Sequence, residues 1–130
     1  MKRVLNLLLG LAVFGPLCLS TASSSMAYGQ AAKETIISRT AEIDGVKLHY
    51  LTAGHGTPLI LLHGYAETSL MWRPIIPVLA ERFTVIAPDL PGFGDSDIPA
   101  DGLDMKSAAV RIHNLAKSLA VQKAEVVGLR

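Results

Sequence analysis

Pro58-Leu59-Ile60-Leu61-Leu62-His63-Gly64-Tyr65 is the stretch that decides the fold. Its five leading residues form an unbroken apolar run between Gly54 and Gly56 on one side and Gly64 on the other. A strand buried on both faces of a parallel sheet has this appearance, whereas a strand with one wet face alternates. A second run, Phe83-Thr84-Val85-Ile86-Ala87, follows about twenty residues later. Between them, Leu70-Met71-Trp72 and Ile75-Ile76-Pro77-Val78-Leu79-Ala80 have helical spacing, with Pro74 and Pro77 restricting the helix start. Parallel strands require such a crossover.

Upstream, Thr35 to Ile43 is rich in β-branched residues and Val46 to Leu51 alternates apolar with mostly polar ones. Asp44-Gly45 between them is a strong hairpin signal. The alternation predicts a solvent-facing His49. Downstream, Met105, Ala108, Ala109, Ile112, Leu115, Ala116 and Leu119 predict one apolar helical face, with Lys106, Arg111, Asn114, Lys117 and Ser118 outside it. Asp104 is placed to cap that helix. His113 falls at the edge of the apolar stripe and reads as a surface or boundary residue. Ala124-Glu125-Val126-Val127-Gly128 is the last short strand. The expected order is strand, strand, strand, helix, strand, helix, strand, an α/β class.

The 130 residues leave room for one domain. Half of the residues are hydrophobic and 18% charged, but part of the apolar excess lies in the first twenty positions. Met1-Lys2-Arg3 is a basic start to an apolar run over residues 4–19, followed by small and polar residues. The run is shorter than the roughly 20 residues a spanning helix needs, which favours a cleaved secretory signal over a membrane anchor. Ser25-Met26-Ala27 is the preferred cleavage site and Gly29-Gln30-Ala31 the second. The expected organisation is a signal over 1–27, a short linker over 28–34 and a partial domain over 35–130. Export to the periplasm or beyond follows, and any membrane contact is the transient one of export.

The sole cysteine, Cys18, lies inside that run, so the mature chain offers no disulfide, thiol nucleophile or cysteine metal site. Two of the 12 basic residues precede position 28, leaving ten against 11 acidic ones. With near-neutral charge and no basic stripe, nucleic acid is not an expected partner.

Two segments carry chemistry. After Leu62 comes His63-Gly64-Tyr65-Ala66-Glu67-Thr68-Ser69-Leu70-Met71-Trp72-Arg73, and after Ala87 comes Pro88-Asp89-Leu90-Pro91-Gly92-Phe93-Gly94-Asp95-Ser96-Asp97. Ligands of open α/β sheets gather beyond the carboxyl ends of strands, and a glycine there lets backbone amides face a developing negative charge. Asp89, Asp95 and Asp97 form a carboxylate cluster without the spacing of a calcium loop. Gly92-x-Gly94 lacks the third glycine of a dinucleotide turn, since position 97 is Asp. Neither a metal nor another cofactor is expected.

Together with Gly128, these segments resemble the α/β-hydrolase superfamily, in particular its epoxide hydrolase and dehalogenase-like branch, over about residues 35 to 128. The resemblance implies the N-terminal part of an α/β-hydrolase fold, a mostly parallel sheet with an N-terminal antiparallel hairpin. It implies an oxyanion loop of His63, Gly64 and Tyr65, with the Tyr65 amide as a donor and His63 positioning the loop rather than acting as base. Asp89, Gly92 and Gly94 become a structural loop beside the active site, and Trp72 a packing residue. The branch usually has proline where this chain has Ala66.

A nucleophile elbow reads Gly-x-nucleophile-x-Gly. Gly128 fits its first position, which puts Leu129 on x and Arg130 on the nucleophile, and arginine stays protonated. The branch would place histidine and aspartate there, the aspartate forming an ester with a small organic substrate. The expectation is therefore a hydrolase segment truncated at the elbow, without nucleophile, acid or base, and inactive alone. The alternatives are a serine esterase-type relative and a non-catalytic binding or assembly module.

Overall fold

The computed structural model describes residues 35–129. The expected signal over 1–27 with Cys18, its expected cleavage sites and Arg130 lie outside them. The described residues form a single mixed sheet of five strands, β1 (Ile37–Ile43), β2 (Val46–Ala53), β3 (Thr57–Leu62), β4 (Phe83–Pro88) and β5 (Glu125–Gly128), in spatial order β1-β2-β4-β3-β5. β1, β2 and β4 pair antiparallel, while β3 runs parallel to β4 and to β5.

The hairpin forms where Asp44-Gly45 predicts it. Both residues have positive φ, 51° and 74°, the geometry of a two-residue turn whose twist matches the strands. The first crossover is shorter than the helical spacing predicts: one 3-10 turn (Ser69–Trp72) and a four-residue helix α1 (Ile76–Leu79). Pro77 enters at the start of α1, where its missing N–H costs nothing. α2 (Met105–Ser118) is capped by Asp104, whose carboxylate accepts from the amides of Lys106 and Ser107.

Both sheet faces are covered. On one, α2 packs Ile112, Leu115 and Ala116 against Leu48, Tyr50, Ile60 and Ile86. On the other, Trp72, Ile76 and Ala80 pack against Leu51, Leu59, Leu61 and Val85. Trp72 is thus a packing residue, buried to 6% exposure. No helix among the described residues is long and apolar enough to cross a membrane.

Two expectations about burial need correction. His49 is buried, at 4% exposure: the alternation assumed one wet face, but β2 is covered on both, and Leu51 on the face of His49 is itself core. Arg111 is buried while Met105 and Ala109 are exposed. The buried face of α2 runs Ala108, Arg111, Ile112, Leu115, Ala116, so it is rotated relative to the expected stripe. Arg111 tolerates burial because its guanidinium donates to the carbonyls of Gly102 and Asp101, holding the loop before α2 against the helix. β5, the expected last short strand, forms at the sheet edge with all four of its residues exposed.

Leu48 is fully buried in the α2-side core. Leu48→Ala should lower unfolding free energy by about 3 kcal/mol through lost burial and the cavity left behind. Val78→Ala, at a position 67% exposed, should change it by no more than about 0.5 kcal/mol. Urea midpoints of the two variants check the contrast.

Candidate active site

β3 and β4 lie side by side in parallel, so their carboxyl ends bring His63 and Asp89 to the same rim of the sheet. The rim is organised by hydrogen bonds. Leu90 N–H donates to His63 Nε2 at 2.9 Å, which makes Nε2 the acceptor and puts the ring proton on Nδ1. Nδ1 in turn donates to the Gly64 carbonyl at 3.0 Å. The buried imidazole therefore clips the loop after β3 to the loop after β4, with Phe93 edge-on at 5.6 Å. With both nitrogens committed, His63 is a brace.

Gly64 to Glu67 closes a tight turn. Glu67 N–H donates to the Gly64 carbonyl at 3.3 Å, and the Gly64 amide donates to Glu67 Oε2 at 3.2 Å. Ala66 sits at φ 59°, a value the proline ring cannot reach. The branch's proline would therefore require a different turn from the one seen here. With the Gly64 amide taken, the Tyr65 amide has no partner among the described residues, and the Tyr65 side chain is 89% exposed.

Asp89 is the junction of the rim. One carboxylate oxygen accepts from the Ser69 amide at 2.6 Å. The other accepts from the Asp95 amide at 3.0 Å and from His49 Nδ1 at 2.8 Å. Its main chain adds two bonds, Asp89 N–H to the His49 carbonyl at 2.9 Å and the Ser96 hydroxyl to the Asp89 carbonyl at 2.8 Å. Ser96 Oγ also accepts the His49 amide. Burial pushes the Asp89 carboxyl up, but the amides of Ser69 and Asp95 and the His49 ring outweigh it, so it titrates below its ordinary 3.8.

The glycines of this loop have unequal duties. Gly94, at φ 53°, lies so close to the Asp89 carboxylate that a Cβ there would overlap it. Gly92, at φ 81°, turns the chain beside Leu103. Gly128 pairs with Leu62, and an added Cβ would meet only ordinary contacts, Leu62 Cβ at 3.6 Å. Leu129 N–H continues onto the Leu62 carbonyl at 3.2 Å. Gly128 therefore stands beside the strand that leads into His63.

The expected three-aspartate cluster does not form as such. Asp97 turns to Lys47 at 3.6 Å, and the group drawn together is His49, Asp89 and Asp95. In it the Asp89 oxygens are occupied by two amides and an imidazole N–H, an arrangement that serves hydrogen bonding. Sequence reasoning missed His49, Ser69, Ser96 and Glu67. The apolar Leu51 on the face of His49 was the one signal available, since it marks that face as covered.

Residues 57–128 match the family model described as alpha/beta hydrolase fold. A soluble epoxide hydrolase of Corynebacterium sp. (strain C12) is 49% identical over 88 residues, 68% of this chain and 31% of that protein. The solved structure of the epoxide hydrolase CorEH without ligand superposes with a TM-score of 0.70 at 47% identity, over 72% of this chain and 33% of that one. A haloalkane dehalogenase loop variant from Bradyrhizobium elkanii superposes with a TM-score of 0.68 at 28% identity, over 72% and 32%. The chain thus spans about a third of the length of the proteins it matches.

Asp89→Asn replaces an acceptor for three donors by a group that must itself donate, and should cost about 3 kcal/mol. A carboxylate with a lowered folded pKa contributes stability present in full above 3.8, and that contribution is lost as pH falls through the folded value. Denaturation midpoints measured across the acid range should therefore drop less steeply in Asp89→Asn than in the parent.

Proposed function

This chain belongs to the α/β-hydrolase fold family, in its epoxide hydrolase-like branch, and on that premise we propose that it is the oxyanion-side segment of an enzyme that opens small organic epoxides. The unpartnered amide of Tyr65 carries the reading. His63 and Glu67 fix the loop so that the Gly64 amide is consumed internally while the next one is left without a partner among the described residues. A preorganised N–H at the carboxyl end of a central strand stabilises negative charge that develops during ester hydrolysis without any cost of reorganisation. In an aspartyl-ester route, epoxide opening leaves a covalent ester on an enzyme carboxylate, and water then attacks the ester carbonyl. The oxyanion formed in that second step is the group the Tyr65 amide would meet. The carboxylate nucleophile of that route is assigned to no described residue.

Support for the epoxide class comes from the epoxide hydrolase sequence and structure matched at nearly half identity. The export reading stands beside it as part of the proposal. A basic start, an apolar run and Ser25-Met26-Ala27 are the features a signal peptidase uses, and protein recovered outside the cytoplasm should begin at Tyr28.

The test separates the amide of residue 65 from its side chain, in full-length protein from its source assayed with a terminal epoxide for diol release. Tyr65→Phe keeps the amide and should leave kcat within about threefold. Tyr65→Pro removes the N–H and should cut kcat by roughly 100- to 1000-fold. Equal rates in the two variants would remove Tyr65 from the mechanism. Turnover of aryl esters with no diol formation would favour a serine esterase-type relative instead.

A further inference from the structure

The Asp89 junction extends outward to a hydroxyl that the oxyanion reading does not use. His49 Nδ1 lies 2.8 Å from Asp89 Oδ2, and His49 Nε2 lies 2.8 Å from Ser38 Oγ. The ionised carboxylate is an acceptor, so Nδ1 carries the ring proton and Nε2 is left to accept from the Ser38 hydroxyl. The imidazole and the carboxylate are nearly fully buried, at 5% and 3% side-chain exposure, whereas Ser38 is exposed on the edge strand β1. The position is settled by register: Ser38 faces Leu51 across the hairpin, and His49 is the diagonal neighbour on the same sheet face. The Ser69 and Asp95 amides hold the carboxylate from behind, so the base has a fixed orientation and a fixed tautomer.

An exposed hydroxyl bonded to the free nitrogen of an imidazole whose other nitrogen is oriented by a buried carboxylate is the arrangement that activates a serine. We propose that Ser38 is a nucleophilic serine, activated through His49 and Asp89, that accepts acyl groups from small activated esters. Ser38 Oγ bonds to the ester carbonyl carbon as its proton passes to His49 Nε2. Collapse of the tetrahedral adduct breaks the bond to the leaving alkoxide or phenoxide, which takes the proton from His49. Water, deprotonated by the same nitrogen, then attacks the acyl-serine and releases the carboxylic acid and free Ser38. The relay supplies a base and its orientation, which restricts the substrate to esters with good leaving groups. An open cleft of about 500 Å³, lined by Thr40, Glu42, Lys47 and Asp97, lies further along the same hairpin.

The test uses a fluorophosphonate on the full chain, with the adduct mapped by peptide mass spectrometry. In that reaction Ser38 Oγ bonds to phosphorus, fluoride leaves, and the hydroxyl proton passes through His49 to solvent. The expected result is an adduct on Ser38 that Ser38→Ala abolishes and that forms roughly 100-fold more slowly in His49→Gln. Glutamine spans the same two partners without acting as a base. Because His49 is buried, the parent protein provides a second readout that needs no variant. Its Ser38 labelling rate should level off as pH rises, the profile of a reaction carried by a general base, whereas an unassisted hydroxyl keeps gaining about tenfold per pH unit. An unlabelled Ser38, or a labelling rate that rises without a plateau, overturns the proposal.

Discussion

A single buried negative charge sets the shape of the sheet's functional rim. The Asp89 carboxylate is 3% exposed, and an isolated charge so placed would cost several kcal/mol in lost hydration. That cost is offset only if donors converge on it, and they come from three different segments: β2 through His49, the 3-10 turn after β3 through Ser69, and its own loop through Asp95. Satisfying one charge therefore fixes the relative positions of all three. Gly94 follows from the same constraint, since the loop that delivers the Asp95 amide must pass where a Cβ would strike the carboxylate.

This constraint explains why the loop after β4 behaves as an extension of the sheet. Asp89 N–H bonds to the His49 carbonyl, the His49 amide bonds to Ser96 Oγ, and Asp97 N–H bonds to the Lys47 carbonyl. Residues 89–97 thus run along β2 beyond the end of β4 and close over His49. His63 then clips the loop after β3 to this stabilised edge through Leu90. Rigidity passes from the charge to the second loop through one neutral imidazole, and the freedom of the Tyr65 amide depends on that loop being held.

The elements legible in the sequence are those specified by local chemistry. Asp44-Gly45 demands positive φ at two successive residues and obtains it. Pro58 to Leu62 has no polar side chain to offer solvent, and Asp104 has two amides within reach of its carboxylate. What was hidden depends on partners distant in sequence. His49 and Asp89 are 40 residues apart, and within Val46 to Leu51 only Leu51 signals that the polar-looking face will be covered, without naming the loop still to come that covers it. Arg111 reads as a solvent-facing cation until the carbonyls of residues 101 and 102 are placed beside it. The resemblance reached the loops after β3 and β4 as segments and implied a positioning His63 and a donating Tyr65 amide, but not how Gly64, Glu67, Ser69 and Ser96 divide the bonding around them.

That division rests largely on the main chain, which is why residue identity alone could not expose it. Gly64 and Tyr65 contribute amides of the same chemical kind, and their roles diverge only because Glu67 reaches back to one of them. His63 and His49 are likewise the same residue with opposite consequences. His63 has both nitrogens closed, by the Leu90 amide and the Gly64 carbonyl, and so serves geometry alone. His49 has one nitrogen closed by a carboxylate and the other open to an exposed hydroxyl. A histidine with a mobile proton partner at one end and a fixed anion at the other can transfer a proton, while one held between two backbone groups cannot do so without breaking its own scaffold. The reactivity of this rim is therefore set by which hydrogen-bond partners are backbone and which are side chain.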